Sequence, residues 1–480
     1  MKNKAIWKKD LKVEKVKSKM FDNMKTDVLI IGAGIAGLST ALNLINSNKK
    51  IVVIEKSTVG NGVTSASTGK ITVMQGLCYS KIEQIINYET ALKYYKSQKC
   101  ATKLIDSIIK TYNIDCDYSI SPSIIFTNSV TKIIDFEKEE NFYEKAKIKY
   151  KKIAKLPNNY PCLYGLLIEK MHVFNPLKYL LELKKIIMEN IPIYENTSAL
   201  NISKSCGKYK IKTNKGVIYA KKVIVSTHYP FFITPGFIPL RTYIEKSYML
   251  AAKVEKNYSF NAITASSPIL SMRYLKDYMI IAANSHITKD TDNYQANFND
   301  LKTQFITNFK GKIEYIWSNH DIMTNDNMPY IGEINTNLYV ATGFNKWGIT
   351  NGVLAGKILG DIILNKKNEY KDLFALNRKG SLTKTFNTFK HNFDTTKTYI
   401  NMKLMKKKFN KVKIIKEDGK DISIYRDGKK EYKVHNKCPH MGCKLIFNEI
   451  DKTWDCPCHG SRFDINGNSI FGPSIYSIKA

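Results

Sequence analysis

The 480 residues carry 75 basic and 42 acidic side chains, a net charge of +33, with 43% apolar and 24% charged residues. That balance is ordinary for a globular chain and excludes wholesale disorder, and the length suggests about three domains at roughly 150 residues each. Of the basic residues 70 are Lys and only 5 are Arg, and the last 70 residues, with 13 basic and 9 acidic side chains, match the charge density of the rest. Nucleic-acid surfaces rely on Arg forks and gather charge into stripes, so no nucleic-acid partner is expected.

The first 25 residues hold nine Lys, no Arg and no apolar run. They read as a basic N-terminal extension, not as a secretory or twin-arginine signal. No stretch reaches the length of a transmembrane segment, so a cytoplasmic location is expected. Five cysteines are scattered, whereas Cys438, Cys443, Cys456 and Cys458 crowd together beside His440 and His459. Such clustering inside a cell points to metal more than to covalent stapling.

Thr26 to Ile31 is a short β-branched run suited to a buried parallel strand, and it leads into Gly32-Ala-Gly34-Ile-Ala-Gly37 and a helical stretch to Ile45. Ile51 to Ile54 forms a second strand that ends in Glu55, 18 residues past Gly37. Gly32 permits the tight turn, Gly34 lets the backbone approach a pyrophosphate, and Gly37 lets the helix pack on the strand. The helix N-terminus offers free N–H groups to phosphate, and Glu55 can accept ribose hydroxyls. Strand, glycines, helix, strand and acid in register predict a dinucleotide site.

A later unit repeats the pattern: Asn337 to Thr342 as a strand, Gly343-Phe-Asn-Lys-Trp-Gly348-Ile349-Thr350 as a glycine turn, then an apolar helix to Ile363. This unit resembles the C-terminal flavin-binding element of the D-amino-acid-oxidase-type FAD-dependent oxidoreductases. Trp317-Ser318 and Thr324-Asn-Asp326-Asn-Met-Pro329-Tyr-Ile-Gly332 are similar to that family's motifs, and Gly60 to Lys70 resembles its small-residue segment along the flavin. The resemblance implies FAD, a Rossmann-like FAD-binding domain over 26–365, and an antiparallel-sheet substrate subdomain inserted over about 81–315. It implies cofactor contacts from Gly32, Gly34, Gly37, Glu55, Thr68, Gly69, Lys70, Gly343, Gly348, Ile349 and Thr350. Lys222 to Pro230 resembles the strand returning to the FAD domain, with His228 at its end as a weak active-site candidate. Arg241 and Arg273 are weak candidates for a substrate carboxylate, because an Arg kept in a Lys-rich chain suggests a need for fork geometry. A strand-end histidine and two salt-bridged arginines are the plain structural readings.

Residues 366–410 are polar and basic and read as a connector. From 411 the pattern turns to short alternating strands with Gly turns, followed by Cys438-Pro-His440-Met-Gly-Cys443 and, after twelve residues, Cys456-Pro-Cys458-His459-Gly-Ser461. Two metal readings fit. Zinc would take four of these six ligands, whereas a Rieske 2Fe-2S centre would take Cys438 and Cys456 on one iron and His440 and His459 on the other. The double motif resembles Rieske domains of the quinol-oxidising type. That resemblance implies a disulfide between Cys443 and Cys458, a shielding loop at Gly472-Pro473, and a small all-β domain over 411–480. Where high-potential members place Tyr, this chain has Phe463.

The two resemblances together imply an FAD-dependent dehydrogenase acting on a small C–N or C–O substrate, with an amine or amino acid as the suggested class. Electrons would pass from FAD through the cluster to an external acceptor, a carrier protein or a quinone. The alternative is an oxidase that uses oxygen directly, with the Rieske domain as redox sensor or structural module.

Overall fold

The computed structural model describes residues 1–9, 20–21, 23–205, 207–231, 236–238, 241–288, 293–378 and 412–480. The chain builds a parallel core from β1 (Met24–Ile31), α1 (Ile35–Leu44) and β2 (Ile51–Ile54). β1 pairs in parallel with β2, Val28 opposite Ile51, and on its other side with β3 (Gly216–Val225), Ile31 opposite Val225. Every residue of β2 and the last four of β1 are buried, as expected for strands covered on both faces.

A second eight-stranded sheet holds β4 (Thr242–Lys253) and β5 (Lys312–Thr324), antiparallel with Thr242 opposite Thr324. Its faces follow the period of two. Met249 and Ala251 join Ala5, Ile6, Trp7 and Trp317 in one core, whereas Tyr248, Leu250 and Ala252 join Phe298, Leu301 and Phe305 of the 294–308 helix in another. Both faces are therefore covered. The insertion expected over 81–315 is not continuous, because 193–225 returns to the first sheet and 123–168 and 242–324 build the second. Parallel pairing of β3 with β1 is the cause.

From β5 the chain rejoins the first sheet as β6 (Leu338–Thr342), parallel to β3, and enters α2 (Gly348–Ile363). α2 lies directly on α1. A Cβ at Gly352, Gly356 or Gly360 would sit 2.4, 2.4 and 2.7 Å from Ile35, Ser39 and Asn43 side-chain atoms. Glycine at every fourth position thus brings two helix backbones together, with both N-termini at the same end of the sheet.

Residues 1–9 of the N-terminal extension pack on the body. The Lys2 N–H donates to Glu314 O, and Trp7 is buried with Nε1–H donating to Ser67 O at 2.8 Å. Residues 366–378 also pack on the body, with Tyr370, Leu373, Phe374 and Leu376 buried, while 379–411 lie outside the described residues. The C-terminal domain is all β, one three-stranded and one four-stranded antiparallel sheet. The second contains β7 (Thr453–Asp455), β8 (Arg462–Asp464) and β9 (Ser469–Phe471). Among the described residues no helix is long and apolar enough to cross a membrane.

Candidate functional site

The nucleotide turn is built at the end of β1. Gly32 has φ +102°, in the left-handed region, and a Cβ there would sit 2.7 Å from Ser226 O. At Gly37 a Cβ would meet Gly32 O at 1.9 Å, whereas at Gly34 the nearest neighbour is Thr64 Oγ1 at 3.6 Å. Two glycines are thus demanded by packing, and Gly34 leaves its approach open. α1 has no side-chain bond from its N-cap residue and no acid in its first turn, and although Ile35 N–H makes a long bond to Thr64 Oγ1 at 3.4 Å, its dipole is offered to an anion. Glu55 accepts from Ala33 N–H at 2.9 Å and Ser57 N–H at 3.0 Å. One bond per oxygen leaves each with a further lone pair for hydroxyls.

The other expected contacts surround this turn. Gly343 has φ +72°, and a Cβ there would meet Thr324 Cγ2 at 2.6 Å. Gly348, Ile349 and Thr350 form the first turn of α2, which again has no side-chain cap. Thr350 Oγ1 accepts from Gln75 Nε2 at 3.1 Å, and Gln75 is bonded in turn to Gln98 and Tyr94. Lys70 is buried, its Nζ donating to Ala262 O at 2.9 Å and Ser271 Oγ at 2.7 Å. Burial, and then the charge of Arg273, push its ammonium down to about 7.

Arg273 is held by backbone carbonyls. Arg273 is fully buried, and its Nη1 donates to Thr68 O, Gly69 O and Phe174 O while the guanidinium stacks 5.1 Å from the Trp7 ring. It ties the 68–69 segment to the second sheet. Arg241 Nη1 donates to Leu376 O at 3.0 Å. The fork geometry expected of a retained arginine lies instead at Arg378, within the stretch read as connector. Its Nε and Nη2 grip Asp326 at 2.7 and 2.8 Å, and Nη1 and Nη2 reach Pro329 O and Met328 O. The signal was present, since Asp326 belongs to the Thr-x-Asp motif and Arg378 is one of the five arginines.

In the C-terminal domain two matching loops face each other. Gly442 N–H bonds Cys438 O, and Gly460 N–H bonds Cys456 O, at 2.8 and 2.9 Å, with left-handed Gly442 and Gly460 closing the turns. Cys443 and Cys458 are joined as a disulfide that links the loops. Cys438 and Cys456 are free, buried and within hydrogen-bonding reach of one another. The contact with Cys456, N–H groups of His440 and Met441, and the Ser461 hydroxyl draw the Cys438 thiol below its usual value, against its burial. The His440 and His459 rings lie 4.9 Å apart, and both Nδ1 atoms are buried without a hydrogen-bond partner. The Cys443, Cys456 and Cys458 sulfurs lie within 4.8 Å of one another, but two of them are in the disulfide and supply no thiolate. Two thiols and two unsatisfied imidazole nitrogens are the donors that remain, which fits a cluster held by sulfur on one side and nitrogen on the other.

The FAD dependent oxidoreductase family model matches residues 27–362. The chain belongs to this family. The Rieske [2Fe-2S] domain model matches residues 400–479, so the oxidoreductase carries a C-terminal Rieske domain, with FAD and a 2Fe-2S cluster as its cofactors. YhfW of Bacillus subtilis (strain 168), named as a Rieske 2Fe-2S iron-sulfur protein, is 29% identical over 95% of this chain and 94% of its own length. Gamma-glutamylputrescine oxidoreductase of Escherichia coli (strain K12) is 22% identical over 74% of this chain and 87% of its own. Glycine oxidase from Geobacillus kaustophilus shares the fold at 17% identity and TM-score 0.61, covering 74% of this chain and 99% of that one.

The Rieske domain sits on the outer face of the second sheet of the oxidoreductase. Ile446 and Ile450 join the core of Tyr248 and Leu250, and Phe471 packs with Tyr229, Ile244 and Ile322. Lys246 on β4 is fully buried and bonds Asp455 at 2.5 Å. Arg462 reaches Asp455 at 3.2 Å and Asp451 at 2.8 Å, and Ser318 on β5 donates to Asp451. Burial opposes ionisation of Asp455, but Arg462 and Lys246 outweigh it and hold the carboxyl well below its usual range. No sequence motif announced this network, which joins residues 209 positions apart.

Breaking a buried ion pair on one side strands the other charge at a cost of about 3–5 kcal/mol. Lys246→Met should therefore lower the denaturant midpoint followed by tryptophan fluorescence, and by as much at high salt as at low, because buried pairs are weakly screened. A loss that vanishes at high salt would contradict the burial argument. Phe463, fully buried against the cluster cysteines, lacks a hydroxyl to bond a thiolate. Phe463→Tyr should raise the cluster's potential by on the order of 50 mV in voltammetry, as one added hydrogen bond favours the reduced state.

Proposed function

We propose that this oxidoreductase is a dehydrogenase for a small amine or amino acid, and that its electrons leave through the Rieske domain to an external one-electron acceptor, a carrier protein or a quinone. The carrying observation is the buried ion network that seats the Rieske domain on the oxidoreductase body. Relatives named for a glutamylated diamine and for glycine favour C–N over C–O substrates.

Bound FAD supplies a two-electron acceptor for a C–H hydride, and the 2Fe-2S cluster a one-electron carrier. The chain's residues divide the remaining tasks. Gly32, Gly34, Gly37 and the first turn of α1 take the pyrophosphate, and Glu55 takes the ribose. Thr68, Gly69 and Lys70 would line the flavin, with the Thr68 and Gly69 carbonyls fixed by Arg273, and the first turn of α2, Gly348 to Thr350 after Gly343, would offer it a positive helix dipole. Cys438, Cys456, His440 and His459 hold the cluster, with the Cys443–Cys458 bond clamping the loops.

An anaerobic screen of amines, amino acids and hydroxy acids should find a compound that bleaches the flavin. With it, Cys438→Ser should still bleach while showing no reduced-cluster EPR signal. Reduced protein that oxygen reoxidises fast, and equally fast in Cys438→Ser, would make the chain an oxidase instead.

A further inference from the structure

We infer that His228, His320 and Phe471 form the contact through which an electron crosses from the flavin side of the body to the Rieske cluster, a proposal that rests on the electron route proposed above. His228 stands between the two glycine turns of the FAD site. Two residues before it, the Ser226 hydroxyl donates to Gly32 O at 3.0 Å, and the His228 carbonyl accepts from Thr342 Oγ1, the residue before Gly343, at 2.5 Å. Its backbone has φ +66°, a left-handed conformation that a histidine seldom adopts. The surrounding bonds hold it there, including Nε2 to His320 O at 3.0 Å. Burial pushes the imidazole down to about 4, so the ring is neutral and donates Nε2–H to that carbonyl.

The His228 ring lies 5.3 Å from Phe471, and the buried His320 ring stacks on the same phenyl at 5.1 Å and 18°. Phe471 is one residue from Gly472, where a Cβ would sit 2.6 Å from Ser461 Cα. Ser461 in turn bonds both thiol-bearing loops, its hydroxyl reaching Cys438 and its carbonyl accepting from Cys456 N–H at 2.7 Å. Beside it Gly460, next to His459, packs on Ile244 so closely that a Cβ there would sit 3.0 Å from Ile244 Cδ1. Packed atoms therefore run from the FAD turns to the cluster loops without a gap, and electronic coupling decays far less through packed atoms than across empty space.

The two ligand loops are not equivalent. That of His459 is pressed against the body, whereas Pro439, His440 and Met441 line an open depression with Lys437, and Met441 is 59% exposed. The inner loop faces the donor, and the outer one is left for the acceptor. A single crossing is balanced by the two cofactors alone: the reduced flavin loses one electron, one ferric ion becomes ferrous, and any proton released goes to water.

The test is flash photoreduction of the flavin in the doubly loaded protein, with cluster reduction followed optically and by freeze-quench EPR. Phe471→Ala and Phe471→Leu should slow the transfer about tenfold, equivalent to about 1.4 kcal/mol of barrier, with the cluster's EPR spectrum and midpoint potential unchanged. His320→Leu, which alters the seam from the body side and leaves the cluster loops alone, should slow it likewise. Wild-type transfer rates in His320→Leu, or in either Phe471 variant that keeps its cluster, overturn the proposal. Absence of transfer in the wild-type protein would instead overturn the electron route itself.

Discussion

A lysine ammonium buried to zero exposure has to be answered by an anion, and in this protein the anion comes from another domain. Lys246 belongs to the oxidoreductase sheet, and Asp455 precedes the first cysteine of the second cluster loop. Arg462 and Asp451 complete a set of two cations and two anions, with Ser318 bonded at its edge. Such a set adds little net stability over an apolar seam, yet it fixes position, because Arg462 holds Asp451 and Asp455 within the Rieske domain and Asp455 in turn meets the buried Lys246 of the body. It therefore acts as a register pin, fixing which atoms of the Rieske domain meet which atoms of the body. The apolar contacts of Ile446, Ile450 and Phe471 supply attraction, and the charges supply position.

The FAD side is organised by close backbone approach. Glycines at 352, 356 and 360 bring α2 onto α1, so two helix N-termini converge where the resemblance puts pyrophosphate and flavin. Around that point several buried polar groups are paired, although Nε and Nη2 of Arg273 and Oγ of Ser39 have no hydrogen-bond partner among the described residues. Arg378 grips Asp326 beneath the Gly343 turn, Arg273 grips the 68–69 carbonyls, and Gln75 holds Thr350. A rigid surround of this kind presents cofactor contacts without having to order them at binding.

What was legible in the sequence was local. The glycine turn with Glu55 and the paired Cys-x-His loops each lie within a short window, where spacing translates directly into geometry. The long-range pairings were not legible. Trp7, in a run of lysines, carries no apolar period, yet it fills the space between Arg273 and Ser67. Fork geometry is a general demand of arginine, but Arg273 meets backbone carbonyls, whereas Arg378 grips Asp326 with both Nε and Nη2 from 52 positions away. Lys222 to Pro230 resembles the strand that returns to the FAD domain, and β3 does pair with β1 there, but the neighbouring strands of 193–213 carry no such mark and make the insertion look continuous. The charge of +33 proved uninformative about the site, whose ionic lock uses one lysine and one arginine.

The buried Lys246–Asp455 pair holds the cluster domain at one fixed position on the FAD body. Pulsed dipolar EPR on the half-reduced, doubly loaded protein measures the separation of the flavin radical and the reduced cluster directly. A single narrow distance distribution that broadens in Lys246→Met is the predicted result. A broad distribution in the wild-type protein would contradict the account.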